Sequence, residues 1–442
     1  MIVGAGPCGL ACARELDRLR HQNWILLERA HAPGGLARSV LDPAGFTWDL
    51  GGHVVFSVFG EFDNLLHDVI GDDLLYHDRS SYIRFSERWV PYPFQNNLRY
   101  LPDAVTAECL AGLAAVPGGT PDMDFETWIL ATFGAGIARY FMTPYNRKVW
   151  ATPLTAMSAR WIAERVSVVD YAHALANVRD GRDDVAWGPN NTFAFPRAGG
   201  TGEIYRRLAL RLADRLRYRT AVVEIDADGR LLRTADGTQW GYDALVSTMP
   251  LDRLVSSLRS APDAVRSAAS DLVHNGVLMV GVGYEAPLTD TKSWTYFPSP
   301  HVPFYRVTNF AKYSAANVPG GKTDRLSSYM TETAYSRHLP GSRSDIETRV
   351  ECGLREAGVV KGRPEVASVH VEDIKYAYPV PTLNRDRALA VIQPWLMKRA
   401  IYSRGRFGAW RYETGNMDHA VKMGIDVARS LVTGAPEEVW TL

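Results

Sequence analysis

The sequence predicts an α/β protein in which a parallel sheet flanked by helices is interrupted by a helical unit and by a mostly antiparallel β-sheet unit. Three observations predict this fold class. The first 28 residues pass from strand to glycine turn to helix to strand. Apolar residues recur at helical spacing between about 101 and 178, and strand-like segments with turn signals follow from about 220 to 371. Alternating strands and helices favour a parallel sheet, whereas strands joined by short turns favour an antiparallel one.

The length of the chain indicates more than one folding unit. Its 442 residues exceed what one hydrophobic core usually organises, since domains contain roughly 150 residues. We divide the chain into a first, discontinuous unit at residues 1–90, 195–265 and 385–442, a helical unit at 95–194, and an antiparallel-sheet unit at 266–384. This division predicts that the last two units are insertions into the first.

The composition excludes several classes of partner. Basic and acidic residues number 49 each, so the formal net charge of zero provides no overall positive field for nucleic acid. No apolar run approaches the roughly 18 to 20 residues that cross a bilayer, and the first residues lack the pattern of a secretion signal. We therefore expect no nucleic-acid or membrane partner and a cytoplasmic location. Whether the chain forms a homo-oligomer stays open.

The four cysteines predict neither a disulfide framework nor a metal site. They are few for this length, and none forms a CxxC pair. Cys8 and Cys12 are four residues apart in the first predicted helix. That spacing is typical of small buried packing residues, so we expect no metal ion and no redox role for them.

The first ten residues carry a glycine pattern that is typical of phosphate binding. Gly4, Gly6 and Gly9 form a GxGxxG between the first strand and a helix that reaches about Leu19. Glycines at these positions permit a tight turn and let a pyrophosphate approach the helix N-terminus. Glu28 ends the second strand, 19 residues after Gly9, where a carboxylate can accept hydrogen bonds from an adenosine ribose. The whole unit predicts a Rossmann-like dinucleotide site.

The remaining elements follow from hydrophobic periodicity and from turn residues. Apolar residues at helical spacing predict helices within 125–130 and 159–166, and the last regular pattern predicts a helix over 417–431. Runs rich in β-branched residues next to Asp-Gly turns predict strands at 220–225 and 244–248. The antiparallel unit is expected to contain three further strands, around 277–282, 305–310 and 366–371.

A second glycine run distinguishes between dinucleotides. Gly34 and Gly35 follow Glu28 closely, and Arg38 comes three residues later. An NAD site needs only the first glycine pattern, whereas this longer run resembles the FAD fingerprint of the glutathione-reductase-like superfamily, which includes amine oxidases. In that superfamily the arginine and the glycine backbone continue along the pyrophosphate, in keeping with the affinity of anions for guanidinium and free N–H groups.

The resemblance to this superfamily extends to two other cofactor segments. Gly51 and Gly52 belong to the glycines expected to line the cofactor. Asn416 would begin the C-terminal helix, with Asp418 in its first turn, and the backbone donors of that helix end would face the flavin ring. The resemblance implies FAD as the cofactor.

Three longer segments resemble one family in particular. They are Trp89–Asn97, Pro144–Trp150 and Ser403–Tyr412, and they resemble UDP-galactopyranose mutase, especially its eukaryotic-type branch. The resemblance runs in order from Gly4 to about Gly434. The combination is more specific than any glycine motif alone.

The family resemblance implies a reaction without net redox change. UDP-galactopyranose and UDP-galactofuranose, a pyranose and a furanose sugar nucleotide, would be interconverted. Reduced FAD would attack the anomeric carbon through N5 and displace the nucleotide diphosphate, after which the sugar opens and recloses through a different hydroxyl. NADPH or NADH is a candidate reductant. Two loops, at 162–171 and 187–192, would close over the substrate and exclude water.

The family resemblance also implies site residues. Arg165 and Arg306 would clamp the diphosphate, because a planar guanidinium suits phosphate oxygens. Arg406 would lie near the flavin and sugar. His53 would lie beside the flavin, where we favour orientation of the ring over proton transfer. The nucleotide, its phosphates and the sugar would contact the remaining residues, which are Tyr92, Phe94, Gln95, Phe141, Tyr145, Asn146, Trp150, Asn190, Trp294, Tyr296, Tyr378, Tyr412 and Asn416.

Three alternatives stay open. One is a mutase that acts on a different NDP-hexose, for example a GDP-linked one, since a fold does not select a base or a sugar. Another is an amine-oxidase-like FAD oxidoreductase, although the tyrosines, asparagines and arginines suit a diphosphate better than a hydrophobic amine. The third is a protein that binds FAD or a sugar nucleotide without catalysis.

Overall fold

The computed structural model describes residues 1–162 and 165–440. Ala163 and Glu164, within the first of the two loops expected to close, lie outside the described residues, as do the last two residues of the chain. The helices are, in chain order, α1 Pro7–Arg18, α2 Gly60–Val69, α3 Asp103–Ala114, α4 Phe125–Ile137, α5 Thr143–Trp150, α6 Tyr171–Arg179, α7 Gly202–Arg211, α8 Leu251–Ser257, α9 Asp263–Ser270, α10 Phe310–Tyr313, α11 Ile346–Glu356, α12 Arg385–Met397 and α13 Met417–Thr433. The strands are β1 Ile2–Val3, β2 Leu26–Leu27, β3 Ser39–Leu41, β4 Thr47–Asp49, β5 Leu74–Asp78, β6 Ser81–Phe85, β7 Arg88–Pro91, β8 Thr192–Pro196, β9 Leu216–Arg217, β10 Val222–Asp226, β11 Leu231–Thr234, β12 Gln239–Gly241, β13 Leu245–Ser247, β14 Val273–Tyr284, β15 Trp294–Tyr296, β16 Arg306–Asn309, β17 Ser327–Tyr335, β18 Val366–Val380 and β19 Ile401–Ser403.

A parallel sheet in the order β19-β13-β1-β2-β9 confirms the predicted α/β fold class. The short strand β1 lies at its centre, and both of its residues are buried. Helix α1 follows β1, and α13 packs directly against α1. Gly424 of α13 permits backbone contact between these helices, because a Cβ there would lie 2.1 Å from the Cys8 carbonyl oxygen. The last helix therefore supports the first glycine turn.

A second, mainly antiparallel sheet follows the order β18-β14-β17-β16-β15-β6-β7. Within it β15 and β6 are parallel, while the other neighbours are antiparallel. The strands predicted at 277–282, 305–310 and 366–371 lie in β14, β16 and β18, which confirms them. Residues 81–90 join this sheet through β6 and β7, although our division of the chain assigns them to the first unit. The position of that unit boundary stays a prediction.

Helices α3 to α6 surround an apolar core that buried residues of β6, β7, β14 and β18 complete. Phe125 and Ile129, four residues apart on α4, are fully buried in it. The helix predicted over 159–166 is wrong for its described part, since residues 159–162 form a bend and a turn. The chain before them pairs with a distant segment, where the Ser158 N–H donates to the Pro381 carbonyl oxygen at 2.8 Å. This hydrogen bond to a distant part of the chain determines the local conformation, although the spacing of apolar residues favours a helix.

The other predicted elements are confirmed. The strands predicted at 220–225 and 244–248 correspond to β10 and β13, and the helix predicted over 417–431 lies in α13. Strands β10, β11 and β12 form a small antiparallel sheet, and β5 pairs with β8. In the described part of the chain, none of the helices combines the length and the apolar character needed to cross a membrane.

Candidate active site

The glycine turn between β1 and α1 forms a cradle that has no room for side chains. Gly4 has a φ of +101°, in the left-handed region that favours glycine. A Cβ on Gly9 would lie 1.9 Å from the Gly4 carbonyl oxygen, and a Cβ on Gly35 would lie 3.2 Å from the Gly6 Cα. Among the described residues no side chain caps α1 at Gly6, so its first N–H groups are available to an anion. These residues fit the pyrophosphate of a dinucleotide.

Glu28 lies directly after β2, beside this cradle. Its two carboxylate oxygens accept the N–H groups of Ala5 and Ala30, both at 2.7 Å. The bond from Ala5 fixes the carboxylate against the glycine turn. Ribose hydroxyls of a bound dinucleotide would reach such a carboxylate. The position of Glu28 therefore fits its expected role, and the ribose contact itself stays a prediction.

Two residues assigned to the cofactor have protein partners in this structure. Arg38 follows the left-handed Gly34 and donates from Nη2 to Glu372 Oε2 of β18 at 3.2 Å. Its side chain remains 39% exposed, which leaves it free to turn toward an anion. Asp418 is buried, and its carboxylate accepts the His419 N–H at 2.8 Å. Contacts of Arg38 and Asp418 with a cofactor stay predictions.

Asn416 is the N-terminal cap residue of α13. Within the described residues its side chain makes no capping hydrogen bond, so the N–H groups of Met417 and Asp418 are available to a ligand, whereas that of His419 donates to Asp418. Arg406 donates from Nη1 to the neighbouring Gly415 carbonyl oxygen at 2.9 Å. The start of α13 thus lies beside one of the arginines expected in the site, and its contact with a flavin stays a prediction.

The Gly51–His53 segment connects the cofactor cradle with the antiparallel sheet. The Gly52 N–H donates to Glu332 Oε1 at 3.0 Å. A Cβ on Gly52 would lie 2.3 Å from the Thr308 Oγ1 and 3.4 Å from the guanidinium carbon of Arg306. Glycine at this position therefore lets the backbone approach the arginine expected to bind the diphosphate. The cofactor cradle and the residues expected to bind the diphosphate therefore meet at this segment.

Arg306, Tyr305 and Glu332 form a hydrogen-bonded network at this meeting point. Arg306 on β16 and Glu332 on β17 are cross-strand partners. The arginine Nε and Nη2 lie 2.8 and 2.6 Å from Glu332 Oε1, and the Tyr305 hydroxyl donates to Oε2. Burial opposes ionisation of the Glu332 carboxyl. Arg306, the Tyr305 hydroxyl and the Gly52 N–H nevertheless lower its pKa. The pair is therefore ionic, and the guanidinium has a fixed orientation.

Arg165 and Arg406 both contact the segment 412–415, and neither pairs with a carboxylate among residues 1–162 and 165–440. Arg165 donates from Nη2 to the Glu413 carbonyl oxygen. Burial lowers the pKa of Arg406, and the positive charge of Arg165 acts in the same direction. An anion bound between the two guanidinium groups would relieve this repulsion. The arrangement fits a diphosphate.

Aromatic side chains surround these arginines. The guanidinium carbon of Arg406 lies 4.9 Å from the centre of the Tyr378 ring and 5.9 Å from that of Tyr412. The Trp294 indole N–H donates to the Tyr296 hydroxyl at 2.7 Å. Rings with polar edges combine flat apolar faces with hydrogen-bonding groups, as a sugar nucleotide requires.

The rings assigned to the nucleotide form a continuous series. Tyr145 stacks on Phe141 at 5.1 Å between ring centres and meets Tyr296 edge-on at 5.4 Å. Tyr92 also lies 5.4 Å from Tyr296. Phe94 stacks on Phe141 at 4.9 Å and is fully buried, so in this structure it packs in the core of the helical unit. The structure brings these residues together, and their nucleotide contacts stay predictions.

The two amides assigned to the nucleotide are buried and fixed by main-chain acceptors. Gln95 donates from Nε2 to the Ser167 carbonyl oxygen, and Asn146 donates from Nδ2 to the Met142 carbonyl oxygen at 2.8 Å. Trp150 is buried and packs edge-on against the tyrosine rings around Arg406. Each amide therefore has a defined orientation before a ligand binds.

Arg79 contacts the predicted site, although the sequence analysis does not identify it. Its Nη1 donates to Asn190 Oδ1 at 2.8 Å, and its guanidinium lies over the Tyr92 ring at 5.3 Å. Burial lowers its pKa. Arg79 thereby ties the loop at 187–192 to the aromatic series. No motif distinguishes this arginine, which lies between two short strands.

Glu332 and Tyr305 are likewise absent from the sequence assignment. A signal exists for Glu332, since it is the only charged residue within the strand β17, whose residues are mainly buried. A lone carboxylate in a buried strand requires a partner. No comparable feature of the sequence identifies Tyr305, apart from its position next to Arg306.

His53 lies in the joining segment and is expected to be neutral. Burial lowers its pKa to about 4; Glu332 opposes this shift, whereas Arg306 and Arg406 reinforce it. Because the folded pKa lies below the ordinary value of 6.5, the unfolded chain binds more protons between these two values. We expect the Tm of the wild type to fall more steeply than that of the His53→Asn variant as the pH decreases from 6.5 toward 4. Equal slopes would contradict the lowered pKa.

One protein family and several solved structures are similar to this chain. The family described as flavin containing amine oxidoreductase matches residues 7–432. A crystal structure of reduced UDP-galactopyranose mutase is similar, with a TM-score of 0.95 and 38% sequence identity over 99% of this chain and 94% of that chain. A candidate protoporphyrinogen oxidase from Exiguobacterium sp. 255-15 has a TM-score of 0.75 and 16% sequence identity over 97% of each chain. A putrescine oxidase with bound putrescine has a TM-score of 0.67 and 17% sequence identity over 98% of each chain. The last two share the fold.

Proposed function

The chain belongs to the UDP-galactopyranose mutase family within the flavin containing amine oxidoreductases, and from that premise we propose that it interconverts the pyranose and furanose forms of a nucleotide-linked hexose. We propose UDP-galactopyranose and UDP-galactofuranose as the pair. The observation that carries the proposal is that Arg306 lies beside the Gly52 backbone while Arg406 lies over the Tyr378 and Tyr412 rings, with Arg165 bonded to the adjoining Glu413 main chain. Such a site suits a diphosphate between a base and a sugar.

Flavin is the cofactor of this family, and we propose that this chain uses FAD in its reduced form. The glycine turn and Glu28 would hold its adenosine diphosphate, with the ring near Gly52 and the start of α13. NADPH or NADH is the proposed reductant. The reduced flavin supplies the nucleophile for the anomeric carbon.

The residues of the chain would position the substrate and stabilise its leaving group. Arg306, oriented by Glu332, and Arg165 would bind the diphosphate oxygens, on which negative charge develops when the glycosidic bond breaks. The rings around Tyr296 would fix the nucleotide and thereby the direction of the sugar. His53, neutral and beside Gly52, carries no charge that would compete for the diphosphate.

An anaerobic assay tests the proposed reaction. Purified protein is reduced with dithionite and given UDP-galactofuranose, and UDP-galactopyranose is measured by chromatography beside an oxidised sample. Product in the reduced sample alone is the expected result. If neither sample yields product, GDP-linked and other NDP-hexoses are tested, and a failure with all of them would exclude the mutase.

Arg165→Ala is expected to decrease turnover at least roughly tenfold, as the loss of one electrostatic donor to a leaving group commonly does. The measurement is kcat under the anaerobic conditions of the main assay. Arg160→Ala is the matched control, because Arg160 lies in the same segment with a 59% exposed side chain paired to Asp122. Unchanged kcat in Arg165→Ala would remove Arg165 from this role.

A further inference from the structure

The ammonium group of Lys148 on α5 is enclosed by main-chain oxygens. Its Nζ lies 2.9 Å from the Phe297 carbonyl oxygen, 2.7 Å from that of Ser299, 3.0 Å from that of Val302 and 2.6 Å from that of Phe304. All four oxygens belong to the turn that connects β15 with β16. Among the described residues no carboxylate pairs with this lysine, so backbone dipoles alone balance its charge.

We call these four oxygens the carbonyl ring. An ammonium group has three N–H donors, so a share in a hydrogen bond or the charge alone must hold the fourth oxygen, and the four together surround the ammonium as a shell of carbonyls surrounds a potassium ion. Without the cation, the oxygens would face one another with their negative ends and lose their hydrogen bonds. The conformation of the turn therefore depends on the presence of a cation.

Lys148 links two elements that both carry residues of the proposed site. Helix α5 presents Tyr145, and the hairpin of β15 and β16 presents Tyr296 and Arg306. Tyr296 and Arg306 are cross-strand partners, and the Tyr145 and Tyr296 rings meet at 5.4 Å. The neighbouring Arg147 points elsewhere, since its side chain is 60% exposed and pairs with a carboxylate of α4.

We propose that Lys148 is a positioning residue, whose ammonium in the carbonyl ring fixes helix α5 against the hairpin that carries Arg306. The inference rests on the proposed function for its effect on catalysis. It also makes the carbonyl ring a binding site for a monovalent cation of the ammonium type once the lysine side chain is removed.

The test compares Lys148→Ala, Lys148→Met and the control Arg147→Ala with the wild type. The assays are done near pH 6, because burial lowers the pKa of Lys148 to about 7 and the ammonium form then predominates. We measure the Kd for UDP, KM and kcat, each in ammonium chloride and in sodium chloride of equal ionic strength. We expect both lysine variants to have a Kd and a KM raised about tenfold, with a smaller change in kcat. Ammonium should restore Lys148→Ala and not Lys148→Met, whose side chain fills the space.

Each other outcome has a defined meaning. Kd and KM within twofold of the wild type in both lysine variants would overturn the inference, as would a loss in Lys148→Ala that ammonium leaves unchanged. If Lys148→Ala does not fold, the Kd and KM of Lys148→Met decide by the same criterion. A wild type that binds UDP but turns over none of the NDP-hexoses would refute the mutase proposal alone, and the Kd values would still decide on Lys148. A wild type that does not bind UDP would overturn the UDP-linked substrate pair and the inference on Lys148.

Discussion

Arg306→Ala is expected to decrease turnover roughly a hundredfold and to destabilise the folded protein by about 3 kcal/mol. The first effect follows from the loss of a guanidinium that Glu332 holds in a fixed orientation toward the diphosphate. The second follows because Glu332, only 2% exposed, would keep a buried charge without its cation. Anaerobic kinetics and urea unfolding measure the two effects separately.

A double variant separates these two consequences of losing Arg306. Arg306→Met combined with Glu332→Gln removes both charges, so most of the lost stability should return while turnover stays low. Arg259→Ala serves as the control, since Arg259 also pairs with a glutamate but is 59% exposed. Recovery of turnover together with stability in the double variant would show that Arg306 has a structural role only.

Gly424→Val is expected to lower the free energy of unfolding by about 3 kcal/mol or more, because it overpacks a backbone contact. A Cβ at this position would lie 2.1 Å from the Cys8 carbonyl oxygen and 3.0 Å from the Cys12 nitrogen, and neither is the end of a flexible side chain. Helix α1 would move away from α13 and carry the glycine turn with it. We therefore expect less bound flavin per chain, measured by absorbance after gel filtration, as well as a lower urea midpoint.

Gly60→Ala is the matched control for Gly424→Val. Gly60 begins α2, and a Cβ there would meet no described atom within 4 Å. Its substitution should leave both flavin content and the urea midpoint unchanged. Wild-type behaviour of Gly424→Val would mean that α1 and α13 do not need their close contact to form the cofactor cradle.

The elements that were predictable from the sequence are those defined by local pattern. The spacing of Gly4 and Gly9 predicts the turn at the centre of the parallel sheet, and alternation with turn residues predicts the strands of the antiparallel sheet. The helix predicted over 159–166 is wrong in its described part because Ser158 pairs with Pro381, far away in the chain. Periodicity carries no information about a distant backbone partner.

The candidate site shows the same limit at the level of side chains. Arg306 is identified by its resemblance to a family, whereas Glu332, which orients it, is reached only through the register of β16 and β17. The partners of Lys148 are main-chain carbonyl oxygens. Every residue has such an oxygen, so residue types do not identify these partners. Roles that depend on backbone geometry therefore emerged from the structure.

The contact of α1 with α13 also sets an order of events during synthesis. Translation makes the glycine turn of Gly4 to Gly9 long before it reaches the supporting helix α13, which begins at Met417. Elements between the two, such as helices α3 to α6 with the strands that complete their core, can fold in the meantime. Flavin incorporation then becomes a late, post-translational step, and nascent chains arrested before residue 417 should remain colourless.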